Sequence, residues 1–115
     1  MSTGLSERLP DTAAQVFAAL GEPHRLQMVA RLSQGEPLSI TRLASGAPIT
    51  RQAVTKHLRV LEQAGIARPE KRGREQLWRV DPARLAEARR CLDLIGQQWD
   101  QALGRLKDLV ETKAD

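Results

Sequence analysis

The chain has 115 residues, 41% of them hydrophobic, with 18 Lys and Arg against 14 Asp and Glu for a net charge of +4. That length supports one core and not two independent ones, so a single domain over residues 1–115 is expected. No apolar run approaches bilayer-spanning length and the start "MSTGLSERLPDT" lacks the apolar stretch of a secretory signal, so the expected location is cytoplasmic, with no membrane partner.

A first helix is expected from Asp11 or Thr12, with Thr12 and Gln15 as a capping box, to near Gly21; its apolar residues are Val16, Phe17 and Leu20. Pro23, preceded by Glu22, suits the first turn of a second helix, with Leu26, Val29, Ala30 and Leu32 as its core stripe and Gly35 as its stop. Ser39 is a good N-cap for a short helix to about Ala44, "SGAP" is a turn, and Thr50 caps the next helix. Two helices joined by a short glycine-containing turn form a helix-turn-helix unit. After Gly65 the period changes to two. Trp78 and Val80 alternate with Leu77 and Arg79, and "KRGR" supplies a turn, so a β-hairpin is expected with Pro69 at an exposed edge or near the tip.

Asp81 followed by Pro82 starts a long helix. Its apolar residues Leu85, Ala88, Leu92, Ile95, Trp99, Leu103, Leu106 and Val110 recur at intervals of three and four, close to a heptad seam. Gly96 and Gly104 each cost about 1 kcal/mol against alanine inside a helix and are places for a bend. Cys91, the lone cysteine, suits a small buried hydrophobe and can form neither an internal disulfide nor a cysteine-rich metal site.

The segment "TRQAVTKHLRVLEQAGI" has two unlike faces. Val54, Leu58 and Leu61 make one apolar stripe, whereas Arg51, Gln52, Thr55, Lys56, His57 and Arg59 occupy the rest with no acid before Glu62. A solvated helix normally mixes charges, which gives ion pairs one turn apart. Residues 39–80 as a whole carry nine basic side chains (Arg42, Arg51, Lys56, Arg59, Arg68, Lys71, Arg72, Arg74 and Arg79) against three acidic ones (Glu62, Glu70 and Glu75). The rest of the chain is therefore slightly acidic. Basic charge gathered in one segment is the footprint expected for a polyanion partner.

The expected fold is mainly α with a small β-hairpin, in α-α-α-α-β-β-α order: a winged helix-turn-helix with its DNA-binding core at about 39–80. "ALGEPHRLQMVARL", "ITRQAVTKHLRVLEQAGI" and "KRGREQLWRVDP" resemble the ArsR-type bacterial transcriptional regulators from about Ala14 to Val110, most specifically over "AVTKHLRVLEQAGI". The resemblance implies a homodimer that regulates promoters, most often as a repressor, on double-stranded operator DNA.

An α-helix fits the major groove, where side chains read base edges. Gln52, Thr55, Lys56 and Arg59 lie opposite the apolar stripe and are the candidates for base edges and nearby phosphates, while Thr50 and Arg51 sit at the helix's positive end, which favours a phosphate. His57 flanks the stripe; the resemblance makes it DNA-facing, and a packing role is the equal alternative. Lys71, Arg72 and Arg74 at the hairpin tip reach a minor groove or backbone, Arg42 meets phosphate, and Arg79 is ambiguous because strand arginines often pair with acids. The resemblance also places dimerisation on the first and last helices, giving Val16, Leu20, Leu92, Ile95, Trp99, Leu103, Leu106 and Val110 as the expected interface. For the half of the last helix nearest Pro82, plain intramolecular packing is the alternative.

Metal-sensing members of the family carry cysteine groups on the helix before the recognition helix, or Asp and His ligands on the last helix. Neither pattern is present: "SITRLAS" has no cysteine or histidine, and the last helix has Cys91 and Asp93 but no histidine. His24 and His57 belong to unrelated helices. No metal and no cofactor are therefore expected, and the sequence does not identify an effector. Three rivals remain: a winged helix that docks a protein, an enzyme, and an RNA binder. Two histidines, one cysteine, no tyrosine and no phosphate loop count against catalysis, and one Phe with two Trp makes a poor stacking platform for RNA.

Overall fold

The computed structural model describes residues 12–114, with side chains through Thr112. Asp11, one of the two expected starts of the first helix, lies outside the described residues. The elements are α1 (Ala13–Leu20), α2 (Pro23–Leu32), α3 (Ile40–Ala44), α4 (Arg51–Gln63), β1 (Ala67–Arg72), β2 (Glu75–Val80) and α5 (Pro82–Ala114). This is the winged helix-turn-helix order expected from the sequence.

Most helix starts follow local capping chemistry. Glu22, Ser39 and Thr50 are extended N-caps whose side-chain oxygens accept the backbone N–H groups of Arg25, Arg42 and Ala53 at 2.9, 3.1 and 3.1 Å. The capping box at Thr12 and Gln15 does not form. Thr12 donates its hydroxyl to Glu87 of α5, and Gln15 reaches the carbonyl of Gln63 at the end of α4. Both side chains exchange a local bond for one between helices.

The core lies where α1, α2 and α4 meet the hairpin. Val16, Leu43, Val54, Leu58, Leu61 and Ile66 are essentially solvent-free, and Trp78 closes the cluster from the sheet. The apolar stripe of α4 thus seats that helix and fixes which way its other face points. Gly65 ends α4 at φ +77°: its N–H bonds Glu62 O and the Ile66 N–H bonds Leu61 O, a Schellman arrangement with Leu61 and Ile66 packed beneath it.

The hairpin pairs Ala67 with Val80 through Arg72 with Glu75. Gly73, at the first central position of the two-residue turn, is left-handed (φ +61°) and Arg74 is not, the pattern of a type II′ turn. Pro69 lies opposite Trp78, whose own N–H and C=O are both bonded to Leu38 on the far edge at 2.8 and 3.0 Å. No ladder bond is available to Pro69, so its missing N–H breaks nothing. The simple alternation expected of β2 is altered at its centre, where Leu77 and Trp78 are both buried.

The last helix runs unbroken for 33 residues through Gly96 and Gly104, about 50 Å at 1.5 Å per residue, so no break occurs at either glycine. Its first turns pack inward, with Ala88 and Cys91 buried. Beyond them the apolar seam emerges: Leu92, Trp99, Leu103, Leu106, Leu109 and Val110 are each more than half exposed. Val16, expected at a dimer interface, is instead fully enclosed in the core of its own chain, and Leu20 is half-buried against that core. Of the expected interface only the α5 residues present open surface, with Ile95 half-covered.

Candidate nucleic-acid interface

Burial of Val54, Leu58 and Leu61 turns Arg51, Gln52, Lys56 and Arg59 outward on a single exposed surface. Among the described residues no carboxylate forms an ion pair with Arg51, Lys56 or Arg59. The N-terminus of α4 adds its own positive end to this surface. Arg42 is exposed on α3, and that short helix is held by Arg31, which donates to Leu43 O and Arg42 O at 3.0 Å each. Arg31 is a positioning residue that sequence reading missed. A cation one helix away whose partners are main-chain carbonyls leaves no motif in the sequence.

Two threonines are less free than the sequence implies. Thr50 Oγ1 already accepts from Ala53, and Thr55 is half-buried and donates its hydroxyl to Arg51 O at 2.9 Å, leaving only acceptor capacity. His57 turns away from the exposed row. Its side chain is 20% exposed, its Nδ1 lies 3.6 Å from Glu22 Oε2 and 3.5 Å from Arg25 Nη1, and its ring stacks on that of His24 at 5.6 Å. The packing alternative for His57 describes this geometry. The expected separation of His24 and His57 does not hold, because the N-terminus of α2 abuts the middle of α4. Glu22 stands between them as a firm anion. Burial raises its carboxyl pKa, but the N–H of Arg25, both the side chain and the backbone of His24, and the positive potential of His57 outweigh that and bring it down to about 2.

The hairpin tip divides likewise. Lys71 and Arg74 are exposed with no carboxylate partner among the described residues, whereas Arg72 donates through Nε to Glu70 at 2.7 Å. Glu70 also holds Arg79 at 3.7 Å, and Arg68 donates to Asp81 at 2.9 Å. The hairpin therefore presents two free cations rather than the three expected, and Arg79 takes the strand-pairing role.

Among the described residues no helix is long and apolar enough to cross a membrane. A family model described as a helix-turn-helix domain matches residues 20–70. The chain is 35% identical over 108 residues to the HTH-type transcriptional regulator Rv2034 of Mycobacterium tuberculosis, a match covering 94% of each chain. It is similar to an ArsR-like transcriptional regulator from Rhodococcus sp. RHA1, with a TM-score of 0.72 and 36% identity over 85% of this chain and 92% of that one. It also shares its fold with the homodimeric winged helix-turn-helix DNA-binding domain of a possible ArsR-family regulator from Mycobacterium bovis, at TM-score 0.59 and 22% identity over 90% of this chain and 93% of that one.

Proposed function

Because the chain belongs to the ArsR-type winged helix-turn-helix family of DNA-binding transcriptional regulators, we propose that it acts as a homodimeric repressor reading a two-fold operator through α4. The observation that carries this reading is the row Arg51, Gln52, Lys56 and Arg59, exposed and without acidic partners above a fully buried stripe. Gln52 reads a base edge, Arg51, Lys56 and Arg59 meet phosphates or guanine edges, Thr50 and Thr55 border the groove, and Arg42 lies on the flanking backbone. Lys71 and Arg74 extend the contact from the hairpin, with Arg72 secondary to them because of Glu70. His57 acts from behind by seating α4.

Dimerisation falls to the outer half of α5. Five large apolar residues there, Trp99, Leu103, Leu106, Leu109 and Val110, are each more than half exposed and recur near helical spacing, the signature of a helix that packs on another helix. Two copies let two α4 helices enter successive major grooves, about one helical turn of DNA apart. The reading includes no catalytic role and none of the family's usual metal ligand sets: α3 carries no cysteine or histidine and α5 no histidine.

Sequencing the genomic DNA that the purified protein retains in moderate salt tests the proposal. An inverted repeat with half-site centres about 10 base pairs apart is expected. Gln52→Ala should relax preference at one position of each half-site by about 1–3 kcal/mol. Retention that shows no preference over random duplex competitor overturns the reading.

A further inference from the structure

A cluster outside the exposed row of α4 has the composition of a metal site. Glu22, His24 and His57 each bring one ligand atom to the same place, all within 4.8 Å of one another. The two imidazoles come from different helices yet direct the same ring nitrogen, Nδ1, at one carboxylate: His24 at 2.9 Å from Oε1 and His57 at 3.6 Å from Oε2. We propose that Glu22, His24 and His57 bind one divalent transition-metal ion of the zinc class, bridging the start of α2 to the middle of α4.

Two imidazoles and one carboxylate are a known three-ligand set for zinc, with a fourth position left for water. Oxygen-preferring magnesium and calcium are poorly matched to two nitrogen donors, while nickel, copper and cobalt compete with zinc for them. Around a tetrahedral ion with bonds of about 2.1 Å the ligand atoms stand about 3.4 Å apart, so the cluster must contract by little more than about 1 Å. His24, with a side chain 46% exposed, has the freedom to supply that movement. Glu22 is already oriented by the Arg25 N–H, and Arg25 is anchored through Nε to Ala19 O at 2.7 Å, an outer ring of bonds of the kind that positions metal ligands. The guanidinium Nη1 of Arg25 lies 3.5 Å from His57 Nδ1, a long contact with which the ion would compete for that nitrogen.

This site goes beyond the DNA-binding reading and does not depend on it. Because His57 lies on α4, the ion would pin that helix to α2 at the flank of its buried stripe, away from the exposed row.

The test is titration of untagged, chelator-treated full-length protein with Co²⁺ and Zn²⁺. One equivalent of Co²⁺ per chain is expected, with the visible bands of a low-coordinate ion and a melting temperature that rises with added metal. Loss of an outer bond costs a metal site about 10–100-fold, so His24→Gln and His57→Gln should each weaken binding at least about 100-fold. Glu22→Ser keeps a helix cap and removes the carboxylate, so it should lose the metal while retaining its helical circular dichroism. Should His57→Gln fail to fold, His24→Gln decides alone. Absence of stoichiometric binding, affinity unchanged in His24→Gln, or a sulfur-to-cobalt charge-transfer band placing the ion on Cys91 would each overturn the proposal.

Discussion

The outer face of α4 and the outer half of α5 are both helix surfaces that the described residues leave uncovered, and their chemistry is opposite. On α4 the uncovered row Arg51, Gln52, Lys56 and Arg59 is three cations and an amide above a buried stripe; on α5 one seam among the exposed side chains is Leu, Trp and Val with more than half their area in solvent. The proposed function assigns each face the partner its composition suits. Unpaired cations are content in water and gain from a polyanion by releasing its counterions. Exposed leucines gain by leaving water, which a second apolar helix permits and DNA does not. In our reading the two faces act in series, since the apolar seam sets the distance at which the basic faces meet the duplex.

The sharpest way to break that pairing is to charge the seam. Leu103→Lys with Leu106→Lys should produce a monomer in sedimentation and leave the fold of each chain intact, because both residues lie outside the core. Losing the second half-site removes the effective-concentration advantage, and operator affinity should fall by about 10²–10⁴-fold although no base contact has been touched. A doubly substituted protein that remains dimeric would assign the seam to another partner.

Neutralising the basic face is the complementary experiment. Lys56→Ala with Arg59→Ala should keep the dimer and its stability. If both meet phosphate, the slope of log affinity against log salt falls by about 1.8 per subunit, equivalent to about 30-fold per half-site at physiological salt. An unchanged slope would remove these residues from the phosphate contacts.

The hairpin offers a smaller change of opposite sign. Glu70 ties Arg72 at 2.7 Å and Arg79 at 3.7 Å, so Glu70→Gln should free Arg72 for the backbone and tighten binding by about 5-fold per half-site, with a steeper salt slope. If affinity is unaltered, the hairpin does not reach the duplex.

What the sequence disclosed divides along a physical line. Features set by short-range chemistry were legible: the caps at Ser39 and Thr50, the Gly65 stop, the proline start of α5, and the stripe Val54, Leu58 and Leu61. Features set by what a distant segment supplies were not. Thr12 abandons its capping box because Glu87, 75 residues away, offers a carboxylate, and Val16 is lost to a partner because its own core closes over it. His24 and His57 share a site only because α2 crosses α4 at that point. Within the candidate interface, the type and helical face of Gln52, Lys56 and Arg59 could be read directly. The ion pairing that separates Arg72 from Arg74 could not, since Glu70 is merely one of three acids in a basic segment until the hairpin brings it alongside.

The smallest expected effect concerns the joint between the two faces. Asp81 ends the hairpin and starts α5: it accepts from Arg68 Nε at 2.9 Å and from the N–H of Ala83 at 3.0 Å, and its N–H reaches Ile66 O at the exit of α4. The Arg68 hydrogen bond foremost, then the Ala83 N–H, hold its carboxyl below the ordinary value of 3.8, against a smaller opposing effect of burial. A depressed carboxylate favours the folded state above its unfolded pKa, and that contribution disappears as pH falls through the folded pKa. The contribution of Asp81 should therefore be complete and independent of pH near neutrality and decline below about pH 4, where unfolded chains take up the proton first. Asp81→Asn keeps a capping oxygen and loses the charge, so its melting temperature should vary less between pH 5 and pH 3 than that of the parent. An equal acid dependence in both proteins would place the sensitivity in the other lowered carboxyls, Glu22 at the start of α2 or Glu87, which Thr12 first and then Arg84 hold down and which fastens the base of α5 to the start of α1.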